Sequence, residues 1–494
     1  MTAFERYWLA PIPAVRPWLF FKATLLLFGL DAFREHLRPA WRYGAAGFNV
    51  AHFAILDALP IPSSAFYVGV MTALGLASFV CALVPRPRRA LIAFVAIAYF
   101  WSWSCSMHDS YQHHYLLSLF FLAFAFFPLL SSRDLFGVPG DLERTPVAKD
   151  PSTVSRKGAK KKAAVADVPP TLDAALPHGL VPRASAWAMT IVWSTAAIVY
   201  AYTAYSKTEA EWIGGDALRN ITRDGQHIPG AVDLFAAFGI EGDALWPFLG
   251  VSTVALQIGC SLGYATAPLR DRITHRPGRI VLEIVAWVAL ALSLSFHLGA
   301  EYMGLEIGWF SWYMILLALA TFVPARALGY VVLFATWPLR QVSQQAELSE
   351  RAGADSPIGT AILAAITGAI LLPAGTLADL PGALPVCVAI GVALMAASVV
   401  ALVRKEGFAE VRAVALAVLL GAACMLAMLR MGPDVRYDYW RFAGGDFRRR
   451  GEWQLALDAY EHANHYAPRG QSRDRQITEM RERIRTEGPR RTDP

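Results

Sequence analysis

The chain has 494 residues, of which 55% are hydrophobic and only 17% are charged, and its formal net charge is +6. Soluble domains usually carry about a quarter charged residues, and the deficit here lies in apolar runs long enough to cross a hydrocarbon core of about 30 Å. This composition excludes an ordinary soluble protein, and the modest positive charge does not indicate nucleic-acid binding. The five cysteines are scattered within apolar runs without a CxxC pair, which is typical of small buried side chains.

Hydropathy predicts about eleven transmembrane helices. In chain order they cover roughly 17–33, 65–84, 90–107, 115–130, 184–205, 246–267, 279–297, 309–323, 358–378, 384–403 and 411–429. The apolar residues 328–337 are too short to span, so we expect them to lie at the membrane interface. The sequence therefore predicts an all-α polytopic membrane protein.

Charged residues predict the orientation of these helices. Alternate loops are basic and carry Arg86, Arg88 and Arg89, then Lys160 to Lys162, Arg270 to Arg279, Arg326 and Arg340, and Arg404 to Arg412. The intervening loops are acidic, with Glu209 to Asp243 and then Glu301 and Glu306. The positive-inside rule places the basic loops in the cytoplasm. We expect an integral membrane protein with the acidic loops on the side opposite the cytoplasm.

Composition divides the chain into four parts. A first bundle covers 10–335 and contains a linker at 135–183 that is rich in Pro, Lys, Ala and Ser and is expected to be disordered in the cytoplasm. A second linker covers 336–357, three additional transmembrane helices cover 358–429, and a soluble tail covers 430–494.

The tail contains the spacing of one tetratricopeptide repeat at 437–470. The matching positions are Trp440, Gly444, Phe447, Gly451, Trp453, Ala456, Tyr460, Ala463 and Pro468. They predict two antiparallel helices with Trp440 and Tyr460 buried between them. Because a lone repeat leaves one apolar face uncovered, we expect the helix at 471–486 or a protein partner to cover it.

A first polar cluster, His108–Tyr115, lies between the third and fourth predicted spans. On a helix Asp109 and His113 are one turn apart, so the carboxylate is able to fix the imidazole tautomer. An interfacial cluster that anchors a tight hairpin explains these residues as well. The HxxxxHH spacing also resembles one histidine box of membrane di-iron desaturases, but the other histidines do not form the two further boxes needed, and no metal is predicted.

A second cluster surrounds Lys207, which ends the fifth predicted span. Snorkelling of the amine to the interface explains a lysine at this position. The alternative is a lysine whose pKa is lowered by apolar surroundings, which leaves a neutral amine as a general base. Glu209 and Glu211 would oppose that lowering if they pointed at the amine.

A third cluster ends the seventh predicted span, where His297 and Glu301 share one helix face at i,i+4. An interfacial helix end explains this pair too, but ionisable groups at membrane depth are functional candidates. All three clusters are predicted at the outer face.

Together the three clusters resemble the transmembrane domain of vitamin K-dependent gamma-carboxylases and their bacterial relatives, the HTTM domain. The resemblance covers 10–335. Its most specific part is Lys207-Thr208, an acidic-Ala-acidic triplet, Trp212 and Gly214. His113-His114-Tyr115-Leu116 is similar to the family's His-x-Tyr-Leu, and Phe296-His297 with Gly308–Trp312 resembles its third motif.

The resemblance implies a lyase-type membrane enzyme that uses a reduced quinone, such as vitamin K hydroquinone, with O2 and CO2. Lys207 would be the base that deprotonates the quinol, and His113 its electrostatic or hydrogen-bonding partner. Substrate or cofactor binding would involve the remaining residues of the three clusters, namely His114, Tyr115, Trp212, His297 and Glu301. Where the carboxylases carry a large strand-rich extracellular domain, this chain carries a linker, three helices and one repeat.

A second hypothesis comes from another class of protein. A non-catalytic membrane protein that binds, transports or acts as a scaffold would keep the same fold and use the repeat to recruit a protein partner. Polar groups at one face only argue against transport. Both hypotheses predict contact with the lipid bilayer and no binding of nucleic acid. The first hypothesis adds a lipid-soluble quinone as a partner.

Overall fold

The computed structural model describes residues 2–37, 64–84, 86–104, 112–130, 135, 183–226, 228–273, 275–302, 309–335, 357–378, 383–404, 408–428 and 435–489. Within these ranges the chain is helical apart from turns and two short strands, β1 (Ile12–Pro13) and β2 (Arg183–Ala184), which pair antiparallel. The predicted all-α class is confirmed, since the two strands are only two residues long each.

The first helices in chain order are α1 (Ala3–Leu9), α2 (Val15–Asp31), α3 (Ser64–Leu83), α4 (Arg89–Ser104), α5 (Gln112–Phe124), α6 (Trp187–Ser206), α7 (Ala210–Ile213), α8 (Asp216–Ile221) and α9 (Pro229–Ala237). They are followed by α10 (Leu245–Arg270), α11 (Arg276–Tyr302), α12 (Phe310–Phe322), α13 (Ala325–Ala335), α14 (Pro357–Ala378), α15 (Ala383–Arg404) and α16 (Phe408–Met428). The tail forms α17 (Val435–Arg449), α18 (Trp453–His465) and α19 (Asp474–Glu487).

Each segment predicted to span the membrane lies largely on one helix, and these are α2 to α6, α10 to α12 and α14 to α16. Among the described residues, five helices are long and apolar enough to cross a membrane: Phe66–Leu83, Gly242–Arg270, Arg276–Tyr302, Gly359–Leu377 and Ala383–Arg404. A sixth is added if α12 and α13, which bend by 120° at their junction, count as one broken span. By length and composition, these helices indicate an integral membrane protein.

The other predicted spans are not long and apolar enough by this measure, and the reason differs between helices. The apolar parts of α4, α5 and α16 within the described ranges are only Arg89–Ser104, His114–Phe124 and Val414–Cys424. Helix α6 is long, but Trp, Tyr, Ser and Thr side chains occupy much of it and lower its hydropathy. Five or six helices among the described residues thus meet this measure, and the eleven predicted spans remain a proposal.

The chain divides into two compact units. The first comprises Met1–Phe20, Phe127–Gly304 and Leu317–Ser343, and the second comprises Phe21–Phe126, Leu305–Leu316 and Gln344–Pro494.

In the first unit α10 packs between α6 and α11. A Cβ atom built on Gly263 would lie 2.3 Å from the Cβ of Ala289, so α10 and α11 approach closely. Ser261 Oγ donates to the Ala197 carbonyl of α6 at 2.8 Å.

Two further contacts fix the directions, since Gly259 of α10 lies against Leu292 of α11 and Gly250 of α10 lies against Trp212, just beyond α6. Lower residue numbers on α10 therefore meet higher numbers on both neighbours, so α10 runs antiparallel to both. Consequently α6 and α11 run parallel and end at the same end of the unit.

At the opposite end of this unit two buried arginines bind the last carbonyl groups of α12. Arg16 Nη1 donates to Val323 O at 3.0 Å, and Arg270 Nη1 donates to Phe322 O at 2.5 Å. Asp271 and Glu283 balance their charges at 2.9 Å and 2.6 Å. A helix end leaves carbonyls without intrahelical partners and carries partial negative charge, so the guanidinium groups stabilise the break between α12 and α13.

The second unit contains a charged residue within a predicted span, Lys22. Its Nζ donates to the carbonyls of Cys81 at 2.8 Å and Val84 at 2.5 Å, at the end of α3. The lysine thus satisfies carbonyl groups that the helix end leaves open. In α14 and α15 of the same unit, Gly368 and Gly391 face each other, which lets the two backbones approach.

The tail has its own apolar core, formed by Trp453, Ala456, Leu457, Tyr460, Ile477 and Met480. A Cβ atom on Gly444 of α17 would lie 2.8 Å from the Tyr460 ring, so the helices pack closely at this point. Tyr460 is buried, whereas Trp440 is half-buried with its ring 4.5 Å from that of His462. The following helix α19 contributes Ile477 and Met480 and covers the face that a lone pair of helices would leave open.

Candidate functional site

Lys207 follows the last residue of α6 and its backbone N–H bonds to the Ala204 carbonyl at 3.1 Å. Its amine turns back along the helix, so that Nζ lies 3.4 Å from the Thr203 carbonyl and 5.1 Å from the centre of the Trp212 ring. Snorkelling would extend the amine away from the span. Here the amine instead lies against the last turn of α6.

The surroundings of Lys207 favour its neutral form. Burial lowers the pKa of the Lys207 ammonium. Glu209 and Glu211 are both exposed, and among the described residues no carboxylate lies within ion-pair distance of the amine. Glu209 and Glu211 therefore do not oppose the lowering of the Lys207 pKa by pointing at its amine.

Two glycines hold Trp212 in this position. A Cβ atom on Gly250 of α10 would lie 2.0 Å from the Trp212 carbonyl oxygen. Gly215 has φ of +83°, and a Cβ there would lie 2.1 Å from the backbone of Trp246. Since neither site has room for a side chain, the short helix α7 is able to lie directly against α10.

His297 is buried inside the first unit, with 1% of its surface exposed. Its Nε2 lies 2.5 Å from Tyr200 Oη on α6. Tyr200 and Lys207 are seven residues apart, so they share one face of α6 about 10 Å apart along the axis. Glu301 lies one turn beyond His297 in the same direction, and its Oε1 is buried without a hydrogen-bond partner among the described residues.

Sequence reasoning missed two buried tyrosines and a buried glutamine in the first unit. Tyr200 stacks on Tyr264 of α10, with ring centres 5.8 Å apart and planes 8° apart. Gln257 of α10 is 3% exposed, and its Oε1 has no hydrogen-bond partner among the described residues. The amide of Gln257 within an otherwise apolar helix was a visible signal, whereas the tyrosines look like ordinary core residues in the sequence.

The histidine cluster belongs to the second unit. His114 Nδ1 lies 2.7 Å from Tyr99 Oη of α4, and the ring of His36 lies 5.5 Å from that of His114. His113 lies on α5, but its side chain and residues 105–111, including Asp109, are outside the described part of the chain. The predicted pairing of Asp109 with His113 therefore lies outside the described residues. Tyr115 is 47% exposed, with its ring 5.7 Å from Trp103.

An unpredicted carboxylate adjoins this cluster. Tyr313 Oη donates to Asp31 Oδ2 at 2.7 Å, and His36 Nε2 lies 3.6 Å from the same oxygen. Residues Ala32–His36 form one π-helical turn. The wider turn brings His36 back to the face of Asp31, whereas five residues of α-helix would rotate it away. Sequence patterns do not reveal such a turn.

No three His, Cys, Asp or Glu side chains among the described residues group as metal ligands would. No protein-family model, no curated protein and no solved structure matches this chain. The family resemblance therefore rests on the motif residues alone.

Proposed function

We propose that the chain is a membrane enzyme in which Lys207 removes a proton from a lipid-soluble quinol and couples quinol oxygenation to carboxylation or a related reaction. The observation that supports this most is the direction of the Lys207 amine, which turns towards the span beneath the Trp212 ring. A general base must be neutral before it acts, and burial favours the neutral amine.

The same contacts support the amine after it has accepted a proton. The Thr203 carbonyl accepts a hydrogen bond from Nζ, and the face of Trp212 attracts the resulting ammonium. Burial thus favours the neutral amine before proton transfer, and these two contacts stabilise the ammonium after it. When bound, the quinol would supply the electrons for reaction with oxygen, as the resemblance implies.

The other predicted residues have supporting roles in this proposal. His297, Glu301 and Trp212 would take part in binding the quinol, as the resemblance implies, and Trp212 lies 5.1 Å from the Lys207 amine. His113, as the hydrogen-bonding partner, and His114 and Tyr115, as quinol-binding residues, follow from the resemblance.

The proposal includes a bacterial inner membrane location, eleven spans and an active face on the periplasmic side. Lys207 and the buried arginines Arg16 and Arg270 lie at opposite ends of the first unit. This polarity agrees with the charge rule, which assigns the arginine end to the cytoplasm.

The alternative is a non-catalytic membrane binder, transporter or scaffold. The tail favours it, because α17 to α19 form a separate core and are suited to recruiting a protein partner. Quinol turnover separates the two proposals.

The test is oxygen consumption by purified protein in lipid nanodiscs with tetramethylhydroquinone as the reductant. We expect turnover in the wild type and a loss of about 100-fold or more in Lys207→Ala, as for removal of a general base. Arg223→Asn is the matched control, since it removes an exposed positive charge where the backbone has φ of 51°, a conformation that asparagine tolerates. Equal turnover in Lys207→Ala and the wild type would contradict the proposal.

A further inference from the structure

Helix α13, which follows the 120° bend after α12, is apolar on two faces. One face, which includes Val332, is buried against the start of α2. The other face exposes Val331 by 59% and Phe334 by 80%. With 11 residues the helix is about 17 Å long, too short to cross a hydrocarbon core of about 30 Å. Its second apolar face therefore fits the interfacial layer of a bilayer.

Helix α1 has the same character. Phe4 is 72% exposed and Leu9 is 52% exposed, and the Trp8 ring lies 6.2 Å from that of Phe4. Tyr7 Oη donates to the Ala265 carbonyl at 3.0 Å, which holds the helix against the end of α10. Tryptophan and tyrosine side chains are typical of the layer between lipid tails and water.

Two arginines connect α1 and α13 through the turn after α10. Arg16 Nε pairs with Asp271 of this turn at 2.9 Å, and its Nη1 donates to the Val323 carbonyl, just before α13, at 3.0 Å. Arg272 Nη2 donates to the Ala10 carbonyl, just after α1, at 2.9 Å. The two short helices and the turn therefore lie at the same end of the first unit.

Exposed positive charge lies at this end as well. Four exposed arginines make no ion pair and no side-chain hydrogen bond with the described residues, and these are Arg6, Arg276, Arg279 and Arg326. The nearby carboxylates are already engaged, since Asp271 pairs with Arg16, Glu283 pairs with Arg270, and Glu5 caps α1. The unpaired charge is therefore positive and favours an anionic partner.

The start of α11 gives the level of this charge relative to the membrane. Arg276 and Arg279 directly precede Ile280 and Val281, which are 52% and 57% exposed and belong to a candidate span. This helix has 27 residues and is about 40 Å long, so it extends beyond a hydrocarbon core of about 30 Å. Its first turn is therefore suited to the headgroup layer.

We propose that α1, α13 and the first turn of α11 form a surface that binds anionic phospholipids. The exposed apolar side chains lie among the upper parts of the acyl chains, and the four arginines bind headgroup phosphates. Lipid is favoured over a protein partner because the apolar surface continues from the arginines into the span of α11. This inference is independent of the proposed function, since Lys207 lies at the opposite end of the unit.

The first experiment measures headgroup selectivity. Detergent-solubilised full-length protein is titrated with dioleoylphosphatidylglycerol or dioleoylphosphatidylcholine, and native mass spectrometry gives the apparent affinity for the first bound lipids. The test variant combines Arg276→Gln with Arg279→Gln. The matched control combines Arg469→Gln with Arg475→Gln, which removes two exposed tail arginines that also have no ion pair with the described residues.

We expect the wild type to prefer phosphatidylglycerol. The α11 double variant should weaken phosphatidylglycerol binding about tenfold or more, because each arginine near an anionic surface contributes about a factor of five. It should leave phosphatidylcholine binding unchanged. The tail double variant should bind both lipids like the wild type, and both variants should unfold at the wild-type temperature without added lipid.

The second experiment measures the depth of α13. A spin label at Phe334→Cys, in a background without the native cysteines, is placed in phosphatidylglycerol nanodiscs. It should collide more often with oxygen, which concentrates in lipid, than with a water-soluble nickel chelate. A label at Arg469→Cys in the tail should show the reverse.

Three results would overturn the inference. One is equal phosphatidylglycerol affinity in the wild type and the α11 double variant. Another is an equal loss in the tail double variant, because the effect would then depend on net charge and not on this surface. The third is a label at position 334 that collides mainly with the nickel chelate, which would place α13 in water.

Discussion

The direction of one side chain decides what Lys207 is able to do. A lysine at the end of a span usually reaches towards water, and then it only anchors the helix. Here Nζ turns back to the Thr203 carbonyl and lies 5.1 Å from the centre of the Trp212 ring, where burial lowers the pKa of the ammonium. The sequence alone did not decide between an interfacial anchor and a general base, because the direction of the Lys207 amine depends on how α7 packs against α10.

The pH dependence of turnover follows from the lowered pKa of Lys207. The ammonium cannot accept a proton, so kcat/KM should rise as pH rises through that pKa and then level off. Because burial lowers the pKa, we expect the rise below the ordinary range of a lysine. The folded state also disfavours the ammonium, so this group's contribution to the free energy of unfolding should rise with pH. A pH–rate profile that rises only in the ordinary lysine range would contradict the assignment.

Replacing Gly250 tests whether the position of Trp212 affects turnover at Lys207. In Gly250→Ala a Cβ atom would collide with the Trp212 carbonyl, now 2.0 Å from that position, and must displace α7. We expect turnover to fall about tenfold or more, since small displacements at a reacting group are costly.

Gly299→Ala is the matched control for this variant. It changes a helical glycine of α11 where a Cβ atom would meet nothing within 4 Å. It should keep full turnover, and equal turnover in both variants would show that the position of Trp212 is unimportant.

At the scale of elements, the tail offers two neighbouring glycines with opposite surroundings. A Cβ atom on Gly444 would lie 2.8 Å from the Tyr460 ring, whereas one on Gly445 would have its nearest neighbour at 3.8 Å. Gly444→Ala should destabilise the α17–α18 pair by about 1–3 kcal/mol through overpacking. Gly445→Ala should be neutral or stabilising by up to about 1 kcal/mol, because alanine is the better helix former.

Hydrogen exchange in α17 and α18 of the full chain measures this difference. Faster exchange in Gly444→Ala alone is the predicted result. Equal protection in the two variants would mean that α17 and α18 do not pack as described.

Helices were predictable from the sequence because hydropathy is a local property, and each predicted span coincides with a helix. Pairings between helices were not predictable. Tyr200 with His297 and Asp31 with Tyr313 join residues 97 and 282 positions apart in the chain. The π-helical turn at Ala32–His36 has no hydropathy signature, and so the sequence did not reveal the carboxylate beside the histidines.

At the scale of the whole molecule, the proposed orientation has a direct test. Lys161→Cys in the linker and Asp233→Cys in the outer segment introduce thiols on sides predicted to be opposite, in a background without the native cysteines. A membrane-impermeant maleimide should label Asp233→Cys in intact cells and Lys161→Cys only after permeabilisation. Labelling of both in intact cells would contradict the topology.

The central claim, that Lys207 is a base, is tested most directly by quinol turnover in Lys207→Arg. A guanidinium keeps the positive charge and the length needed at the interface, but it stays protonated and cannot accept a proton. The account predicts normal expression and folding with turnover reduced about as far as in Lys207→Ala. Turnover at the wild-type rate in Lys207→Arg would contradict it and leave Lys207 as an interfacial anchor.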